Sequence, residues 1–125
     1  MEVLKIEATD ETPAVLLDPV NNVLEFSGKS LPEDVTTFYS PILEWLGAYS
    51  AEPRAKTTAH FKLVYFNTAS SKLILDILFE LEKIQESGTE ILIKWYYEEE
   101  DEDMKEAGEE YSELIEVPFE LAVLD

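Results

Sequence analysis

Between an aromatic strand end, Tyr65-Phe66, and an apolar helical stretch lie Asn67, Thr68, Ala69, Ser70 and Ser71, an amide and three hydroxyls in five residues. Side-chain oxygens at such a handover accept hydrogen bonds from the N–H groups that a helix start leaves without partners. One Ser or Thr is enough for that task. The surplus points to a hydroxyl that accepts a phosphoryl group. Phosphate adds roughly −1.5 to −2 charges at neutral pH and three strong acceptor oxygens, and the positive pole of a helix is where that charge is stabilised. Thr68 is the first candidate acceptor, and Ser70 and Ser71 are the fallback acceptors. Asn67 shapes the corner, and Lys72 stands one turn in, where it can pair with the phosphate.

Other chemistry has little material. His60 is the only histidine and cysteine is absent, so nucleophile–base pairs, thiolate metal sites and disulfides lack their members. Neither an enzyme nor a cofactor is expected. The run EEEDED at 98–103 lacks the ordered ligand spacing of a calcium loop, and Gly108 falls outside an EF-hand register. Consecutive acids of this kind form a solvated surface or one that engages basic partners, so no metal site is expected.

The charge balance narrows the partners. With 28 acidic and 9 basic residues the chain carries a formal charge of −19. Such a surface cannot track phosphates, which argues against nucleic acid, and anionic membranes repel it. Residues 1–97 hold 15 acids and 8 bases, whereas 98–125 hold 13 acids and a single Lys. The acidity is therefore local, and the 98–110 segment would steer encounter with a basic partner in a salt-dependent way. Apolar runs are too short to span a membrane and no apolar leader opens the chain, so a cytoplasmic protein is expected.

Elements must hold the corner in place. The 125 residues, 46% hydrophobic, suffice for one domain with a real core. VLKIEA alternates as a half-buried strand does, and AVLLD and NVLEFSG around Asn21-Asn22 read as a hairpin ended by Gly28. In SLPEDV, Pro32, Glu33 and Asp34 mark a helix's first turn, and Phe38, Ile42, Trp45, Leu46 and Tyr49 give its apolar stripe. Pro41 predicts a kink or restart at Ser40. TAHFKLVYF reads as a central strand, followed by a helix from about Ser70 to Gln85 that Gly88 caps. EILIKWYY is a further strand. MKEAGEEYSELIE reads as a short helix weakened by Gly108, and VPFELAVL as a closing strand whose Pro118 marks an edge or a start. Strands alternating with helices predict an α/β fold with a mixed β-sheet of about six strands, two main helices packed on it and a short acidic helix near the C-terminus.

The helix after the corner carries a second signal. At 3.6 residues per turn, Leu73, Ile74, Ile77, Leu78, Leu81 and Ile84 share a core face, and Lys72, Asp76, Glu80 and Lys83 share a solvated one. Leu75 and Phe79 fall outside both. Either another element covers them, or they form an apolar docking ridge beside the hydroxyls.

A strand ending in an aromatic, then a small polar pair with a hydroxyl at a helix start, resembles the STAS-type anti-sigma factor antagonists. The whole chain is more specifically similar to the SiaC-type regulatory phosphoproteins of bacteria, through TPAVLLD, SGKSLPED with FYSPILEWLGAY, FNTASSKLILDIL and IKWYYEEEDEDMKEAGEEY. The resemblance implies one STAS-like domain over 1–125 that works by partner switching. A serine/threonine-type protein kinase phosphorylates it, a PP2C-type phosphatase reverses this, and the unmodified form binds and activates a target enzyme such as a diguanylate cyclase, in c-di-GMP signalling. Thr68 then stands at the acceptor position, and Asn67 stands where STAS antagonists usually have Asp. The alternative is a constitutive interaction module in which Thr68 merely caps its helix.

Overall fold

The computed structural model describes residues 2–124. Along the chain run β1 (Leu4–Ile6), β2 (Ala14–Asp18), β3 (Val23–Ser30), α1 (Val35–Tyr49), β4 (Lys56–Phe66), α2 (Thr68–Glu86), β5 (Glu90–Tyr97), α3 (Glu102–Leu114) and β6 (Phe119–Val123). The strands form a six-stranded sheet whose spatial order is the chain order. β1, β2 and β3 pair antiparallel, and β3 through β6 pair parallel. The expected mixed α/β sheet is what forms.

Each parallel step needs a crossover, and a helix supplies it. Because the strands are added in one direction and such crossovers are right-handed, the helices fall on one face. That face holds the core: Phe26, Phe61, Ile91, Ile93 and Trp95 of the strands are buried with Ile42 and Leu46 of α1 and Ile74, Ile77, Leu78 and Leu81 of α2. The opposite face is half-buried and polar. There Lys62 Nζ lies 2.9 Å from Glu25 Oε1, and His60 Nδ1 lies 3.0 Å from the Tyr96 hydroxyl.

Several local expectations shift. Gly28 does not end its strand; at φ +109° it sits where the register with β4 slips, Gly28 facing Leu63 and Lys29 facing Tyr65 so that Val64 is bulged out, and β3 continues to Ser30. A bulge re-aims the residues beyond it, and here it delivers Ser30 to the end of β4. Pro32 and Glu33 precede α1 rather than open it, because Asp34 is the cap, accepting from the Thr37 amide at 3.1 Å. The helix then runs unbroken through Pro41. Pro41 and Thr37 are both exposed, so water can satisfy the Thr37 carbonyl that proline leaves without a donor. Tyr39, not Phe38, completes the buried stripe with Ile42, Leu46 and Tyr49, since two turns on Tyr39 lines up with buried Leu46 and Phe38 with half-buried Trp45.

The third helix also differs. It starts at Glu102 on the Asp101 cap, so the last two residues of the acidic run are helical. Gly108 is no weak point. It is buried, and a Cβ there would sit 2.7 Å from Leu121 Cδ2 and 2.8 Å from Trp95 Nε1. Only glycine lets α3 lie this close to the sheet.

Candidate functional site

Helix α2 begins at Thr68, two residues earlier than expected. Its cap is Asn67, whose Oδ1 accepts from the Ser70 amide at 2.8 Å. Capping therefore falls to the amide, and the Thr68 hydroxyl is not needed for it. Thr68 is exposed at the first helical position, and Ser71, half-exposed, donates its hydroxyl to the Thr68 carbonyl at 2.6 Å. Ser70 is different. It is fully buried, donating to the Ser30 carbonyl at 2.9 Å, so a modifying enzyme cannot reach it in this fold. The expectation of Ser70 as a fallback acceptor is corrected on that ground.

Below the corner, the Ser30 carbonyl also accepts from the Asn67 amide at 3.0 Å, and the Ser30 hydroxyl lies 2.9 Å from that of Ser70 and 2.6 Å from that of Tyr39. The end of β3, α1 and the first turn of α2 thus meet in one buried polar cluster. Burial pushes the Tyr39 phenol up against a smaller opposing effect of Ser30, and burial likewise pushes Tyr111 up. Both phenols therefore keep their protons and are able to donate.

The helix starts differ in charge. The cap of α1 is Asp34, and α3 has Asp101 with Glu102 and Asp103 in its first turn, but α2 has a neutral cap and no acid in its first turn. In a chain with 28 acids, the hydroxyls gather at the helix start that carboxylates leave alone. Its positive pole is not neutralised. Lys72 is exposed one turn in and takes part in neither ion pair found among the described residues.

Leu75 and Phe79 do not form one ridge; they serve grooves on either side of α2. Leu75, half-buried, lines a shallow groove toward α3 with Phe66, Ser71, Lys72, Tyr111 and Leu114. Phe79, 39% exposed, lines a second groove toward α1 with Leu43, Asp76 and Lys83. The Tyr111 hydroxyl donates to the Ser71 carbonyl at 2.8 Å, tying α3 to the first turn of α2. His60 is not brought to the corner. It sits on the helix-free face, its imidazole pushed down by burial against a smaller opposing pull from Glu25.

The sequence reading missed Ser30, Tyr39 and Tyr111. Tyr39 and Tyr111 lie on helical stripes, Tyr39-Ile42-Leu46-Tyr49 and Met104-Gly108-Tyr111-Ile115, which a stricter period count would have found. Ser30 had no such signal. Among the described residues no group of three or more His, Cys, Asp or Glu could hold a metal ion, and no helix is long and apolar enough to cross a membrane.

This geometry has close counterparts. The family described as SiaC family regulatory phosphoproteins matches residues 6–124. An uncharacterized protein of Pseudomonas aeruginosa strain UCBPP-PA14 is 30% identical over 125 residues, spanning all of this chain and 99% of its own. Among solved structures, SiaC of Pseudomonas aeruginosa superposes with a TM-score of 0.91 at 28% identity, over 99% of this chain and 100% of its own. A chain of the crystal structure of the diguanylate cyclase SiaD in complex with its activator SiaC, also from Pseudomonas aeruginosa, gives 0.91 at 29% identity, over 97% and 99%.

Proposed function

This chain belongs to the SiaC family of regulatory phosphoproteins, a family of regulators and not of enzymes, and from that premise we propose that it is a cytoplasmic partner switch phosphorylated on Thr68. A serine/threonine-type kinase adds the phosphate and a PP2C-type phosphatase removes it. The unmodified form binds and regulates a signalling enzyme such as a diguanylate cyclase. The carrying observation is the exposed Thr68 at a helix start whose cap and first turn hold no acid. Ser71, half-exposed beside it, is the second acceptor.

The mechanism is electrostatic. A dianion on Thr68 is favoured by the amides and dipole of α2, with Lys72 free to swing toward it. Any partner seated in the groove at Leu75, which reaches Ser71 and Lys72 of the first turn, then meets new charge at its end. A partner complementary to the neutral hydroxyl must desolvate that charge without a matching cation, which weakens docking. The acidic 98–110 segment sets which partners arrive, through long-range attraction to basic surfaces.

The test is intact-mass spectrometry with site mapping of protein from its native host, paired with binding of the native target. Thr68→Ala is expected to lose the phosphate and keep target binding. It should also melt close to wild type, because Asn67 and not Thr68 caps α2. Thr68→Glu is expected to weaken binding. Equal binding by Thr68→Glu and wild type, or phosphate that persists in Thr68→Ala, overturns the proposal.

A further inference from the structure

We infer that Ser30, Tyr39 and Ser70 are positioning residues for the phosphorylation of Thr68, an inference that rests on the acceptor role proposed above. All are buried to 1% exposure or less, yet none is apolar at the atom that matters. The proton count fixes their direction. Ser70 spends its one hydroxyl proton on the Ser30 carbonyl at 2.9 Å, and Ser30 spends its own on Ser70 Oγ at 2.9 Å. Tyr39 must therefore donate to Ser30 Oγ across the 2.6 Å that separates them. The result is a one-way chain, from Tyr39 to Ser30 to Ser70 and back to the Ser30 carbonyl, in which each link polarises the next.

That carbonyl also receives the Asn67 amide at 3.0 Å. Residues on both sides of Thr68 are thus pinned to the end of β3, while Thr68 itself stays exposed. In the transfer step, Thr68 Oγ1 attacks the terminal phosphorus of a nucleoside triphosphate. The new O–P bond forms as the bond to the diphosphate oxygen breaks, and the hydroxyl proton passes to a base on the kinase. Such a reaction is governed by alignment of the attacking and leaving oxygens, and a shift of about 1 Å in a reacting group can cost on the order of 100-fold. The hydroxyl chain holds the acceptor in one place. Stability alone does not explain it, since apolar groups of equal shape could replace a buried hydrogen-bonded pair at little cost.

The same helix supplies its own control. At the other end of α1, the Tyr49 hydroxyl lies 2.7 Å from Thr57 Oγ1 and accepts from the Arg54 amide at 3.1 Å. Tyr39→Phe and Tyr49→Phe each delete one buried phenol oxygen from α1, the former alone touching the corner. The experiment incubates each full-length variant, with wild type and Ser70→Ala, in native-host extract with ATP, at rising substrate concentration. It reads phosphate on Thr68 by mass and the melting temperature of each variant. Tyr39→Phe and Ser70→Ala are expected to lose about tenfold in maximal rate with little change in half-saturation, while Tyr49→Phe matches wild type. Equal rates for Tyr39→Phe and Tyr49→Phe in a wild type phosphorylated on Thr68 overturn the inference and leave the acceptor assignment standing. Wild type phosphorylated elsewhere overturns the assignment and the inference together.

Discussion

Helices α2 and α3 lie on the same face of the sheet and touch through the Tyr111 hydroxyl, but different forces hold them. In α2, Ile74, Ile77, Leu78, Leu81 and Ile84 are each at most 1% exposed, and the first turn is bonded to β3. In α3, only Met104, Gly108 and Tyr111 are buried. The Trp95 indole donates to the Met104 carbonyl at 3.0 Å, and aromatic contacts from Trp95 and Phe66 to Tyr111 complete the attachment. Its remaining surface is mostly carboxylate. The helix that carries the proposed acceptor is part of the core, whereas the helix that walls the neighbouring groove buries few side chains. Elements with few buried apolar contacts open at lower free energy than the global unfolding cost, so α3 is expected to open before α2.

The largest effect is expected at the centre of α2. Ile77→Ala should cost about 2–5 kcal/mol, seen in denaturant titration as a midpoint shift common to all probes. A loss confined to α2 would break the comparison, since it would mean that this helix too unfolds alone. Next comes Gly108→Ala. In an exposed helix the change would stabilise, but here the added methyl must push against Trp95 and Leu121, for a cost of about 1–3 kcal/mol. Hydrogen exchange should speed up along α3 and stay unchanged along α2. Equal acceleration in both would show one cooperative unit.

The smallest effect concerns α1 and sharpens the contrast between charged and neutral caps. The Thr37 amide, followed by the Thr37 hydroxyl, holds Asp34 below its ordinary value of 3.8. A carboxyl with a lowered folded value contributes its full stability above the unfolded value and loses it as pH falls through the folded one. The gap in melting temperature between wild type and Asp34→Asn should therefore persist above pH 3.8 and close below it. The loss in Asn67→Ala, at the neutral cap of α2, should not change over the same range.

Much of this was legible in the residues themselves. The period of two in HFKLVYF marked β4 and the period of 3.6 in KLILDILFEL marked α2, because local geometry alone dictates which side chains share a face. The hydroxyl corner was visible as composition. Its division of labour was not: Asn67, Thr68, Ser70 and Ser71 look interchangeable in sequence, and the fold makes one a cap, one a buried link, one exposed and one half-exposed. Leu75 and Phe79 were visible as misfits of the core stripe, but which neighbour each would face depended on where α1 and α3 pack.

What the chain determined alone was its alternating order of strands and helices, its excess of negative charge and the place where hydroxyls meet a helix start, since these follow from neighbours in sequence. What only the tertiary structure decided was the meeting of Ser30, Tyr39 and Ser70 and the close seat of α3 on Trp95. Those contacts join residues nine to forty positions apart. Their partners are chosen by sheet order and crossover hand, which act on whole elements and leave no mark on any one of them.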